Sequence, residues 1–206
     1  MSRQIGPTIE ILLRRIRQEG GFALSPDLAT KVYSLCEQVV NTALKRVLVT
    51  TTLNIPKQKL LFSLRSEFPS ALDIISFTQS NRDIPSVASL NDFSAFDPNW
   101  FRSITGTRFE AWHQLSRDLF ILYPGQAAAS SIEITYVKLL TLRDDFSANY
   151  NENSELPDED VDIALALAEL ILLVRFRLLT SIPKRFERVI ELLKLRGLRG
   201  LQNDSK

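Results

Sequence analysis

The run from Ile163 to Val174 (Ile-Ala-Leu-Ala-Leu-Ala-Glu-Leu-Ile-Leu-Leu-Val) limits the possible folds more than any other stretch of this sequence. It contains Glu169 and is closely followed by Arg175 and Arg177. A bilayer span needs about 20 consecutive apolar residues, so this run is too short and too charged to cross a membrane. It predicts a buried helix. Leu156-Pro157 marks the start, with Asp158, Glu159 and Asp160 placed where the helix dipole favours acids, and the pattern carries on over 157–179. Val161, Ile163, Leu165, Leu167, Leu170, Ile171, Leu172, Leu173, Val174 and Phe176 go nearly all the way round. A helix that apolar has to be covered on more than one side. In a chain of 206 residues the expectation is the sheet on one face and a neighbouring subunit on the other.

The sequence before this run divides into helix and strand. Ile9, Leu12, Leu13 and Ile16 recur at helical spacing and predict a helix over 7–18, stopped by Gly20-Gly21. Ser25-Pro26-Asp27 opens a second helix over 25–46, with Ser25 as N-cap and Pro26 at the first helical position. Leu28, Val32, Leu35, Val39, Ala43 and Leu44 are its expected buried stripe. From Val47 the chain turns β-branched. Strands are predicted over 47–53, 59–64, 72–78, 108–115, 119–123 and 131–139, with a hairpin turn at Ser116-Arg117-Asp118. Leu90 to Trp100 reads as a short helix or compact loop carrying Phe93, Phe96 and Trp100 into the core. The predicted fold class is α+β: N-terminal helices, a central antiparallel β unit over 47–140, a long buried C-terminal helix, then a terminal helix and tail. Residues 1–182 would form one domain, and 183–206 a helix from Pro183 that thins out after Gly197. Asp144 to Glu155 is polar and aperiodic and predicts a mobile loop.

Little in the sequence points to chemistry. The 25 Lys and Arg against 24 Asp and Glu give a net charge of +1, with no overall pull toward nucleic acid or membrane. Charge is unevenly placed: acids crowd 141–162, opposed only by Arg143, and bases dominate 175–206. Cys36 is the single cysteine and His113 the single histidine, which leaves no zinc site of the usual Cys/His type. Cys36 is expected to be a buried helix thiol in a chain made and kept in reducing cytoplasm, and His113 a structural strand residue. The N-terminal Met-Ser-Arg-Gln-Ile-Gly lacks the apolar core of a signal peptide. No Gly-x-Ser-x-Gly elbow and no Gly-rich phosphate loop occurs. The expectation is a protein that is not an enzyme and takes no metal or cofactor.

Three stretches carry a resemblance. Leu90-Asn91-Asp92-Phe93-Ser94-Ala95-Phe96-Asp97-Pro98-Asn99-Trp100 precedes Thr105-Gly106-Thr107-Arg108, where Arg108 stands at a position commonly Pro. Asp118-Leu119-Phe120-Ile121-Leu122-Tyr123-Pro124 precedes Ser131-Ile132-Glu133-Ile134-Thr135-Tyr136-Val137. Leu156-Pro157-Asp158-Glu159 leads into the Ala/Leu-rich helix. In this order, over roughly residues 25–180, they resemble the head–tail adaptor (connector, or neck) proteins of tailed bacteriophages. The resemblance implies a virion protein of the neck, made in the host cytoplasm. Such proteins form a ring, commonly of about twelve copies, closed by heterologous interfaces. The implied partners are the portal protein, tail or nozzle proteins, further copies of the chain, and DNA passing through without sequence-specific binding. No membrane is implied. On that reading Arg185, Arg188, Lys194, Arg196 and Arg199 would contact the portal. Leu167, Ile171, Val174, Arg175 and Arg177 would line a subunit interface, and Asp144 and Asp145 would face the channel. Two other readings stay open: a tail-tube or tail-completion ring protein, separated by whether it binds portal directly, and a small DNA-binding regulatory protein, which would show salt-dependent duplex binding.

Overall fold

A computed structural model describes residues 3–102, 104, 106–178 and 181–201, the side chains of residues 96 and 196–201 excepted. The fold is α+β, as predicted. Helices α1 (Ile5–Gly20) and α2 (Pro26–Leu44) come first. Then follow β1 (Leu48–Ile55), β2 (Leu61–Ser63), the one-turn α3 (Leu64–Glu67), β3 (Ala71–Gln79) and β4 (Arg82–Ile84). Next are α4 (Leu90–Phe96), a 3-10 turn (Trp100–Arg102), β5 (Ala111–Gln114), β6 (Leu119–Tyr123) and β7 (Ser130–Lys138). The chain closes with α5 (Phe146–Asn149), α6 (Asp158–Arg175) and α7 (Ile182–Leu201). Contacts divide it differently from the expected 1–182 body and 183–206 extension. One unit is 1–47 with 140–206, and the other is 48–139.

The β unit holds two antiparallel sheets, ordered β1-β7-β3-β4 and β2-β6-β5. β1 pairs with β7 in unbroken register from Leu48↔Val137 to Ile55↔Ser130. The sequence reading missed β4, which is only three residues long. Ser80 (φ 52°) and Asn81 (φ 63°) form the two-residue turn from β3 into it. Positive φ at both positions suits the right-handed twist of a hairpin. Aromatic rings join the sheets. Phe77 of β3 lies edge-on to Trp112 of β5 at 5.1 Å and tilted against Phe120 of β6 at 5.2 Å. Phe120 in turn stacks on Phe62 of β2 at 5.3 Å. Such pairs add to plain area burial. Phe93 of α4 is buried beside Trp100 and Tyr123, as expected, and Trp100 is half-buried. The side chain of Phe96 lies outside the described residues.

In the helical unit, α1 stops at Gly21, whose φ of 68° places it in the left-handed region that glycine tolerates. The expected stripe on α2 is wrong in part. Leu35 and Val39 are 47% and 54% exposed, while Ala29, Val32, Tyr33, Cys36 and Val40 are buried together with polar Ser34, Glu37 and Asn41. Ser34 and Glu37 hold returning chain and Asn41 holds departing chain, which turns the helix away from its most apolar line. α6 ends at Arg175, earlier than expected, and α1, α2 and α7 pack against it, so helices do the covering expected of a sheet. α7 continues to Leu201 instead of thinning out after Gly197. It lays Ile182, Val189 and Leu192 on this core, leaving Phe186, Leu193 and Leu195 exposed.

Because Phe77 is fully buried against Trp112 and Phe120, Phe77→Ala should cost about 3–5 kcal/mol, read as a fall in the urea midpoint.

Candidate functional site

A buried polar network of the helical unit gathers where the chain returns from the β unit. Arg143, the lone base among acids, is buried and ion-paired. Its Nη1 lies 3.0 Å from Glu37 Oε2 and its Nε 2.9 Å from Glu152 Oε2, with Glu155 at 3.8 Å. Ser154 donates its hydroxyl to Glu37, and Ser34 Oγ accepts from the Arg143 backbone N–H at 3.0 Å. Burial pushes the Glu37 carboxyl above its usual range, against the opposing pull of Ser154, Arg143 and Tyr33. Burial also pushes the Tyr33 hydroxyl up, and the neighbouring Cys36 thiol up to about 12. A thiol so rarely ionised is a packing group and a poor nucleophile. Sequence reasoning missed this network, although Arg143 alone among acids and Glu37 on an apolar helix were its signal.

The network also corrects the expected mobile loop over 144–155. Asp145 Oδ1 caps α5 by accepting from the Ala148 N–H at 2.9 Å, and Asp27 Oδ1 accepts from the Phe146 N–H at 2.9 Å. Backbone bonds join Ile5 N–H to Glu152 O at 2.8 Å and Gly6 N–H to Tyr150 O at 2.9 Å. A segment whose backbone is paired this way is built into the fold. The two residues expected to face a channel, Asp144 and Asp145, are both exposed, and Asp145 also caps α5.

The residues expected to contact the portal separate. Arg185 is not free on the surface. Its Nη2 reaches Glu19 Oε1 at 3.2 Å, and its Nε lies 3.1 Å from Oε1 of buried Glu169, at ion-pair distance but outside hydrogen-bond geometry. Arg15 reaches the other Glu169 oxygen at 3.4 Å. The arginine thus fastens α7 to α1 and α6, because a buried carboxylate needs compensating charge. Arg188 and Lys194 are exposed, and the side chains of Arg196 and Arg199 lie outside the described residues. Of the expected interface residues, Ile171, Val174, Arg175 and Arg177 are exposed and Leu167 is half-buried. Leu167, Ile171 and Val174 follow i, i+4, i+7 spacing and so share one face of α6.

His113 places Nδ1 2.8 Å from the Val87 carbonyl oxygen, a structural contact. Among the described residues no group of three or more His, Cys, Asp or Glu side chains is arranged to hold a metal ion. Among them, too, no helix is long and apolar enough to cross a membrane. In comparisons with known proteins, no family model matches the chain and no curated protein is found similar to it.

Arg143→Met would leave Glu37 buried without its cation and should cost about 3 kcal/mol at neutral pH, measured by urea unfolding. A carboxyl with a raised pKa binds its proton more tightly in the folded chain than in the unfolded one. Glu37 therefore makes stability fall as pH rises from the ordinary carboxylate value through its own raised value. In Glu37→Gln that fall should disappear, leaving a flatter profile of urea midpoint against pH.

Proposed function

We propose that this chain is a structural subunit of a tailed-phage particle, forming the ring that joins the portal to the tail and continues the DNA channel. The observation that carries the reading is the apolar face of α6, where Ile171 and Val174 are 42% and 54% exposed beside the exposed Arg175. Contiguous exposed apolar surface marks a contact site, and closure of a ring needs unlike faces of one subunit to meet. The order of the three resembling stretches supports the same reading, since each falls on a formed element: α4, the β6 and β7 strands, and the start of α6. The ring would sit in the neck of the virion, with portal and tail proteins as neighbours and DNA passing through unread.

The exposed cations on α7 are the portal contacts on this reading, now Arg188 and Lys194 without Arg185. The engagement of Arg185 inside the chain also weakens the DNA-binding alternative, which rested on a basic terminal helix.

Mixing the purified protein with portal rings of the same virus, followed by light scattering, should yield a stoichiometric ring on the portal. Ile171→Glu with Val174→Glu should abolish that assembly and leave the thermal transition of the free chain in place. Failure to bind portal combined with ring formation on tail proteins would move the chain lower in the tail. Failure with both would end the structural reading.

A further inference from the structure

The β unit guards three of its sheet edges and leaves one open. β2 and β4 are three residues each, and β4 carries Arg82 and Asp83. Along β5, the Trp112 N–H donates to Pro85 O at 3.0 Å and the Trp112 carbonyl accepts from the Val87 N–H at 2.9 Å. β1 has no such protection. It is eight residues long, ends its sheet, and pairs with β7 at every position without a bulge. Within the β unit no other described strand or helix packs along it, and among the described residues its backbone pairs with no backbone group but those of β7. Natural edge strands are blunted by lysine, proline, bulges or shortness. Leu48-Val49-Thr50-Thr51-Thr52-Leu53-Asn54-Ile55 has none of these.

We propose that the open edge of β1 pairs antiparallel with β1 of a second copy of this chain, about a two-fold axis at Thr51, making one continuous sheet across two copies. The strand matches itself in that register. An axis normal to the sheet keeps like faces together, so Val49 lies opposite Leu53 of the second copy and Thr50 opposite its Thr52. Val49 and Leu53 already belong to the aromatic core, while Thr50 and Thr52 are exposed. Apolar thus meets apolar on the inner face and threonine meets threonine on the outer, pairings that stabilise antiparallel strands. No charge lies in the strand to repel an identical one. Of the cations that flank the strand, Arg46 is engaged with Asp160 at 3.1 Å and Lys59 with Glu67 at 2.9 Å within their own chain. A contact of this isologous kind closes at two copies. It does not depend on the ring reading, which rests on α6.

The test is sedimentation of the full chain over a range of concentrations, with amide exchange followed residue by residue. The expected result is a doubling of mass as concentration rises, accompanied by slowed exchange within 48–55. Thr50→Lys with Thr52→Lys sets lysine opposite lysine across the axis and should hold the chain at single mass with its thermal transition retained. A wild-type chain monomeric at every concentration overturns the proposal. So does a dimer untouched by the two lysines, or one whose added protection falls outside 48–55. Should the lysine variant fail to fold, the wild-type exchange pattern still decides. Loss of this dimer with portal assembly intact would leave the ring reading standing.

Discussion

One helix holds both the place where the chain leaves the helical unit and the place where it comes back. Asn41 Oδ1 accepts from the Val47 N–H at 2.8 Å as the chain departs. Gln38 Oε1 accepts from the Leu140 N–H at 2.7 Å, and Ser34 bonds to Thr141 and Arg143, as the chain returns. Ser34, Gln38 and Asn41 are spaced i, i+4, i+7 along α2, so they form a single polar line. This line fixes both crossing segments of the chain to α2. The aligned polar groups explain why α2 presents Leu35 and Val39 to solvent while it buries Ser34, Glu37 and Asn41.

The buried carboxylates work in the same direction. Glu37 meets Arg143, Asp160 meets Arg46, and Glu169 meets both Arg15 and Arg185. All but the Glu169–Arg185 pair join segments far apart in sequence. Desolvating such ions offsets much of their attraction, so their net stabilisation is small, but a misplaced partner leaves a buried charge uncompensated and is strongly unfavourable. Their effect is to select one arrangement of the helices among several that would bury similar apolar area. α6, apolar on most of its circumference, has little pattern of its own to fix its rotation, and its two buried acids supply it.

The sequence made the elements legible where period was strong and failed where long-range polar pairing decided. α1 and the longer strands follow apolar spacing, α6 shows as a continuous apolar run, and Gly21 and Pro157 mark boundaries that are locally determined. β4 is too short to show a period, and its turn at Ser80-Asn81 lacks the glycine that usually announces such a turn. The segment over 144–155 looked aperiodic because its order comes from partners in α1 and α2, more than a hundred residues away, to which local patterning is blind. Arg185 looked like surface charge for the same reason: Glu19 and Glu169 become its neighbours only once α7 has docked. The exposure of Ile171 and Val174 follows from where the helices packed on α6 leave it uncovered.

The insertion of residues 48–139 between two halves of one helical unit also has a consequence in time. The β unit is continuous in the chain, and its strands meet by closing loops within one stretch. α1 and α2 find α6, Arg143 and α7 only across the whole of that stretch, and contacts of such separation form slowly. On a ribosome α1 and α2 are thus made well before the segments that cover them. Until residues past 140 emerge, α1 and α2 have each other but neither α6 nor Arg143 to pack against. The nascent chain is most vulnerable during that interval, and a chaperone has most to gain there from holding it.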